Sequence, residues 1–161
     1  MLMNSITYGK VDVKSIANII KEKALQYNYN CDITVGTDSQ NISDYTKIVT
    51  VISIHFNKNG GIFFYTINKV KSIKNLRQKL VTETQSSLEI TDELLKELEN
   101  VSDNTFDYNR LPFCIHVDAG TNGDTKVLIK ELTAWVISCG YKCEIKPDSF
   151  AASAIANKYS K

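Results

Sequence analysis

This 161-residue chain has neither a long apolar run nor an excess of one charge. Its mean hydropathy is −0.19. With no uninterrupted hydrophobic stretch of about 20 residues, a membrane-spanning helix is excluded. Nineteen basic residues against eighteen acidic ones leave a formal charge of +1. No global field therefore draws the protein onto polyanions, and contact with nucleic acid would rest on a local patch or on bound metal. Met1–Ser5 lacks both the basic patch and the apolar stretch of a secretory signal, so the cytoplasm is the expected location. Histidine is scarce, with His55 and His116 the two examples. The four cysteines, Cys31, Cys114, Cys139 and Cys143, contain no two-residue-spaced pair and no ligand-spaced cluster with either histidine. A structural zinc site is not expected, and in a reducing compartment the thiols stay reduced. Cys139 and Cys143 read as small buried hydrophobes.

What is present is the composition of one globular domain spanning residues 1–161: 43% hydrophobic and 23% charged residues around a single core. Val13, Ile16, Ile19, Ile20, Ala24 and Leu25 repeat at helical spacing and predict a helix over 11–27, within an N-terminal helical extension of residues 1–30. Asp32–Asp38 is short, β-branched and bounded by polar residues, as a strand is. Lys47–Phe56 and Ile62–Val70 are two further strands joined by Asn57-Lys58-Asn59-Gly60-Gly61, a tight-hairpin signal. A long helix follows over 72–99, then a strand at Phe113–Asp118. A helix over 124–138 is terminated by Gly140. A strand at Tyr141–Ile145 and a closing alanine-rich helix from Pro147-Asp148-Ser149 to Lys158 complete the chain.

This order predicts an α/β fold, a five-stranded mixed sheet flanked by helices with an extra N-terminal helix. Right-handed crossovers leave few topologies. In the strand order 3-2-1-4-5, the first and fourth strands are neighbours.

Four carboxylates then stand out. Asp38 closes the first strand at the end where open α/β sheets keep their sites, and Gly36 leaves space on the same face. Glu83 falls inside the apolar stripe made by Ile73, Leu76, Leu80, Ser87, Ile90, Leu94 and Leu98, whereas Glu89 lies almost opposite. A carboxylate on a packed face needs a partner. Lys79 and Arg77 lie on other sides of the helix, so that partner is expected outside it. Asp118 ends the fourth strand, where Cys114 and His116 share its face, and it precedes Ala119-Gly120-Thr121-Asn122-Gly123. Asp148 opens the last helix, where an N-cap role accounts for it equally well. Asp38 and Asp118 also read as strand-end turn residues. Gathered in one crevice, four such groups would repel unless protonated or neutralised by divalent metal. All-oxygen donors select Mg²⁺ or Mn²⁺ over zinc.

Val35-Gly36-Thr37-Asp38-Ser39-Gln40, Leu80-Val81-Thr82-Glu83, His116-Val117-Asp118-Ala119-Gly120 and Ile145-Lys146-Pro147-Asp148-Ser149-Phe150-Ala151-Ala152-Ser153 together resemble the ribonuclease H-like superfamily, and within it the YkuK-type family. The resemblance covers nearly all of the chain from Asp32 onward, and the last segment is the most specific. It implies a metal-dependent nuclease that hydrolyses phosphodiester bonds of RNA, DNA or hybrid with two Mg²⁺ or Mn²⁺ ions. Asp38, Glu83, Asp118 and Asp148 are implied as both catalytic residues and metal ligands. Asp38 would bridge the ions, Glu83 and Asp118 would complete one site, and Asp148 the other. Relatives that bind RNA–DNA hybrids often carry a basic protrusion after the first crossover helix, whereas here residues 100–110 are acidic and polar.

Ser39, Gln40, Lys74, Arg77 and Lys146 are the candidate substrate contacts. Lys69, Lys71, Lys74, Arg77 and Lys79 cluster where the third strand meets the long helix and offer a salt-sensitive phosphate surface. Phe64 and Tyr65 are candidates for base stacking, although packing explains them equally well. Two alternatives remain: a catalytically inactive binding module on the same fold, and an actin-like ATPase reading of Val117-Asp118-Ala119-Gly120-Thr121. The second needs two domains around its nucleotide and this chain has the length of one. No Gly-x-Ser-x-Gly elbow supports a serine hydrolase.

Overall fold

A computed structural model describes residues 1–56, 60–119 and 126–145. The chain opens with a hairpin, β1 (Leu2–Ser5) and β2 (Gly9–Asp12), in the register Leu2↔Asp12 to Ser5↔Gly9. Gly9 takes the left-handed φ of +70° that the turn requires. Asp12 caps helix α1 (Val13–Gln26) by accepting from the Ser15 amide at 2.8 Å. Its buried stripe is Val13, Ile16, Ala17, Ile19, Ile20 and Ala24, close to the expected face. The expected N-terminal helical extension is thus part hairpin and part helix. Met3 and Ser5 turn inward while Leu2 is exposed, an alternation too short to distinguish from loop in the sequence.

Strands β3 (Asp32–Ile42), β4 (Tyr45–His55) and β5 (Gly61–Lys71) form a continuous antiparallel meander. Helix α2 (Leu76–Val101) begins at Asn75, whose side chain accepts from the Gln78 amide. A parallel strand β6 (Phe113–Val117), helix α3 (Lys126–Ser138) and parallel strand β7 (Lys142–Ile145) follow. Gly140, at φ +93°, ends α3 as expected. The closing helix anticipated from Pro147 to Lys158 lies outside the described residues, as does the Gly120–Gly123 loop.

Among the described residues the sheet has seven strands rather than five, in the order β2-β1-β5-β4-β3-β6-β7. The expected order 3-2-1-4-5 is therefore incomplete, because β1 adds itself to the β5 edge at Asn4↔Tyr65. A second difference bears on the site. Strand β3 does not stop at Asp38 but runs on to Ile42, paired with β4 from Asp32↔His55 to Ile42↔Tyr45. Gln40–Ile42 have a polar local sequence, and it is the β4 ladder that holds them extended. The β3–β6 pairing, by contrast, stops at Gly36↔His116. Asp38 therefore lies just beyond the last β3–β6 pair.

The three helices α1, α2 and α3 contribute to the apolar layers over the sheet. Ile33, Val35, Ile52, Ile54 and Phe64 pack with Ile16, Ile20, Leu94 and Leu98 in one cluster. Ile115 and Val117 pack with Leu80, Leu128, Ile129, Leu132 and Val136 in another. The opposite face carries Val49 and Val51 against Phe63, Tyr65 and Ile67.

Candidate active site

Thr37 and Ser39 alternate with Asp38 along β3, and both hydroxyls reach α2. Thr37 Oγ1 lies 2.8 Å from Ser87 Oγ, and Ser39 Oγ donates to Glu83 Oε2 at 2.5 Å. Glu83 is 4% exposed, which agrees with its place in the apolar stripe, while Glu89 is exposed and bonded to Gln85. Burial is the main force on the Glu83 carboxyl and pushes its pKa up to about 8, with the charges of Asp38 and Asp118 adding to the rise. The Ser39 hydroxyl and the Lys79 ammonium oppose this. Near neutral pH, with no added cation, the folded protein keeps this group largely protonated.

The Ser39 contact is the partner outside the helix that the stripe demanded. Lys79, however, also reaches Glu83, with Nζ 3.9 Å from Oε2. Four residues along a helix amount to only about 40° around it, so the long lysine stem closes a gap that helical-wheel reasoning had placed on another side.

Asp38 is half-buried. Burial, followed by the charge of Asp118 and a hydrogen bond with it, raises its carboxyl to about 6. Lys79 and the Ser39 amide, which donates to Asp38 Oδ1 at 3.0 Å, pull the other way. Asp118 lies one residue past the end of β6. Asp38, Glu83 and Asp118 therefore interact electrostatically where β6 ends beside β3. Asp148 lies outside the described residues.

Among the described residues, the donor trio that closes to within 4.8 Å is a different one: Cys114, His116 and Glu144. His116 is buried, and its Nε2 lies 3.3 Å from Glu144 Oε2. The expectation that no cysteine clusters with a histidine is thus corrected by β7, whose parallel register sets Glu144 opposite His116. Glu144 had no signal in the sequence, because its place depends on strand pairing across a helix. Cys139 is also exposed rather than buried, Cys143 is half-buried, and Cys31 is buried.

The candidate substrate contacts are dispersed. Ser39 is buried and engaged by Glu83, and Gln40 is half-buried opposite Lys47. Lys74 is exposed just before the α2 cap. Arg77 pairs with Glu131 on α3 at 2.7 Å, and Lys146 lies outside the described residues. In the basic cluster, Lys69 sits over the Tyr45 ring at 5.2 Å. Phe64 is fully buried and unable to stack on a base, and Tyr65 packs against Phe63.

A seven-stranded mixed sheet with antiparallel strands leading into parallel crossovers, and acidic residues meeting where β3 and β6 separate, defines a ribonuclease H-like architecture. The sequence profile of the family described as Ribonuclease H-like matches residues 13–161, and the chain belongs to this family. It is also similar to a protein of Bacillus subtilis (strain 168) named "Uncharacterized protein YkuK". The two are 34% identical over 137 residues, which cover 80% of this chain and 78% of the relative. Among the described residues, no helix is long and apolar enough to cross a membrane.

Proposed function

We propose that this protein is a nuclease that hydrolyses phosphodiester bonds of nucleic acid using hard divalent cations, Mg²⁺ or Mn²⁺, held by Asp38, Glu83, Asp118 and Asp148. The observation that carries this reading is the state of Asp38 and Glu83. Burial first, and then the negative charge of neighbouring aspartates, raise both carboxyls above their ordinary range, a perturbation typical of sites whose charge is completed by a ligand. The donors are oxygens, which suit Mg²⁺ and Mn²⁺. When bound, such ions supply an activated water and neutralise charge at phosphorus and at the leaving oxygen.

The chain's own residues prepare this site. Ser39 holds Glu83 in a single orientation through its hydroxyl. Its backbone amide does the same for Asp38. Lys79 places positive charge beside both carboxyls and favours their ionised forms, opposing burial. Buried Thr37 and Ser87 tie β3 to α2, which limits movement of Asp38 relative to Glu83. The exposed Lys69 and Lys71 at the end of β5 and Lys74 just before α2 offer a surface for the phosphate backbone.

The test is cleavage of labelled RNA, DNA and hybrid in Mn²⁺ by wild type and by Asp118→Asn. Metal-dependent cleavage that disappears in the variant supports the assignment. Equal cleavage by both proteins refutes it, and binding without cleavage by wild type favours the inactive binding module instead.

A further inference from the structure

We propose that Cys114, His116 and Glu144 form a second divalent-metal site, of the zinc class and separate from the carboxylates, with its open coordination position facing a cavity on the same side of the sheet. Three features of the structure support it. The first is placement. Cys114 and His116 are two residues apart on β6 and so share a face, and the β6–β7 register sets Glu144 directly across from His116. One donor atom from each of the three lies within 4.8 Å of the others.

The second feature is spacing. Two ligands each about 2.0–2.1 Å from a tetrahedral zinc stand about 3.3–3.4 Å apart. His116 Nε2 and Glu144 Oε2 are separated by 3.3 Å. That distance also suits a plain histidine–carboxylate contact, and the sulfur is what distinguishes the two cases. A thiol as third neighbour adds nothing to such a pair, yet it completes a sulfur–nitrogen–oxygen set that selects zinc over Mg²⁺.

The third feature is access. The three donors line a cavity of about 310 Å³ together with Asp32, Thr34 and His55. Three protein ligands with a fourth position left to water or an exogenous anion is the arrangement of zinc sites that interact with ligands, whereas purely structural sites are closed. The site is distinct from the carboxylates. His116 precedes Asp118 by two residues, with Asp118 just past the end of β6, a step of about 7 Å along extended chain, and the two donor sets share no residue.

Cobalt titration of the metal-free full-length protein tests this, because a thiolate bound to Co²⁺ gives a charge-transfer band in the near ultraviolet. Wild type is expected to develop the band, saturating at one thiolate-bound Co²⁺ per chain whatever further Co²⁺ the carboxylates take up. Cys114→Ser should abolish the band and weaken zinc, measured by competition, about a hundredfold or more, beyond the loss that an outer-shell change causes. Glu144→Gln, at a half-exposed side chain, is a second variant that leaves the core intact and, as loss of a direct ligand, should weaken binding at least as much as an outer-shell change does, by about a hundredfold. Asp38→Asn and Cys139→Ser should leave the band in place. No band in wild type, a band that survives Cys114→Ser, or one lost in Cys139→Ser overturns the proposal. If Cys114→Ser does not fold, unchanged affinity in Glu144→Gln overturns it as well.

Discussion

Replacing Glu83 with glutamine isolates the energetic strain at the site. The carboxyl has an ordinary value of 4.5 and is pushed to about 8 in the folded protein, chiefly by burial. Between those values the folded protein keeps its proton while the unfolded chain releases it. The stability this group contributes is therefore full below pH 4.5 and is lost as pH rises toward 8. At about 1.36 kcal/mol per pH unit, the gap is worth of order 5 kcal/mol. With only 4% of the residue exposed, solvent screens little of this. Glutamine preserves the shape and the acceptor for Ser39 but never ionises. Urea denaturation of both proteins between about pH 4 and pH 9 should show the variant gaining on wild type by several kcal/mol toward the alkaline end. Adding Mn²⁺ at the alkaline end should restore stability to wild type and much less to the variant, because a cation reverses the preference for the neutral carboxyl. A difference that stays flat within about 1 kcal/mol across the range would refute the reasoning. It would mean that Glu83 is solvated or is already compensated by Lys79.

Three further outcomes follow from named contacts. Ser39→Ala leaves the buried Glu83 carboxyl without its hydroxyl donor and should cost about 1–3 kcal/mol in chemical denaturation, together with a fall in Mn²⁺-dependent cleavage. A cost below about 0.5 kcal/mol would mean that the contact contributes little. Asp118→Asn removes the charge that ranks second, after burial, among the causes raising Asp38. In a carboxyl NMR titration the Asp38 midpoint should drop below 6 yet stay above 3.8, and an unmoved midpoint would contradict the coupling. Asp12→Ala deletes the α1 cap and should lower the midpoint of thermal unfolding, with metal binding unchanged.

The local patterns of the chain were informative wherever one segment carries its own period. The α2 stripe placed Glu83 on the packed face, and the structure buries it there. Gly140 marked the end of α3 through a backbone angle that glycine adopts without penalty. The β-branched runs located the five longer-range strands, because alternation requires only neighbouring residues. The β1–β2 hairpin was not legible, since four-residue strands carry too few alternations to distinguish from loop. Nor was the run of β3 to Ile42, which depends on the β4 backbone rather than on its own side chains.

Lys79 shows how a flexible stem defeats a wheel diagram. Its Cα direction suggests one side of the helix, while its ammonium ends beside Glu83. The amino-acid order alone was enough to specify which residues are acidic, which of them lies on a packed face, and which elements carry them. Ladder pairing between distant strands settled the rest. It ended the β3–β6 contact before Asp38, set Asp118 within reach of it, and brought Glu144 across from His116. Side-chain periodicity is a property of adjacent residues. Register is a property of two backbones that meet only after the helices between them have folded.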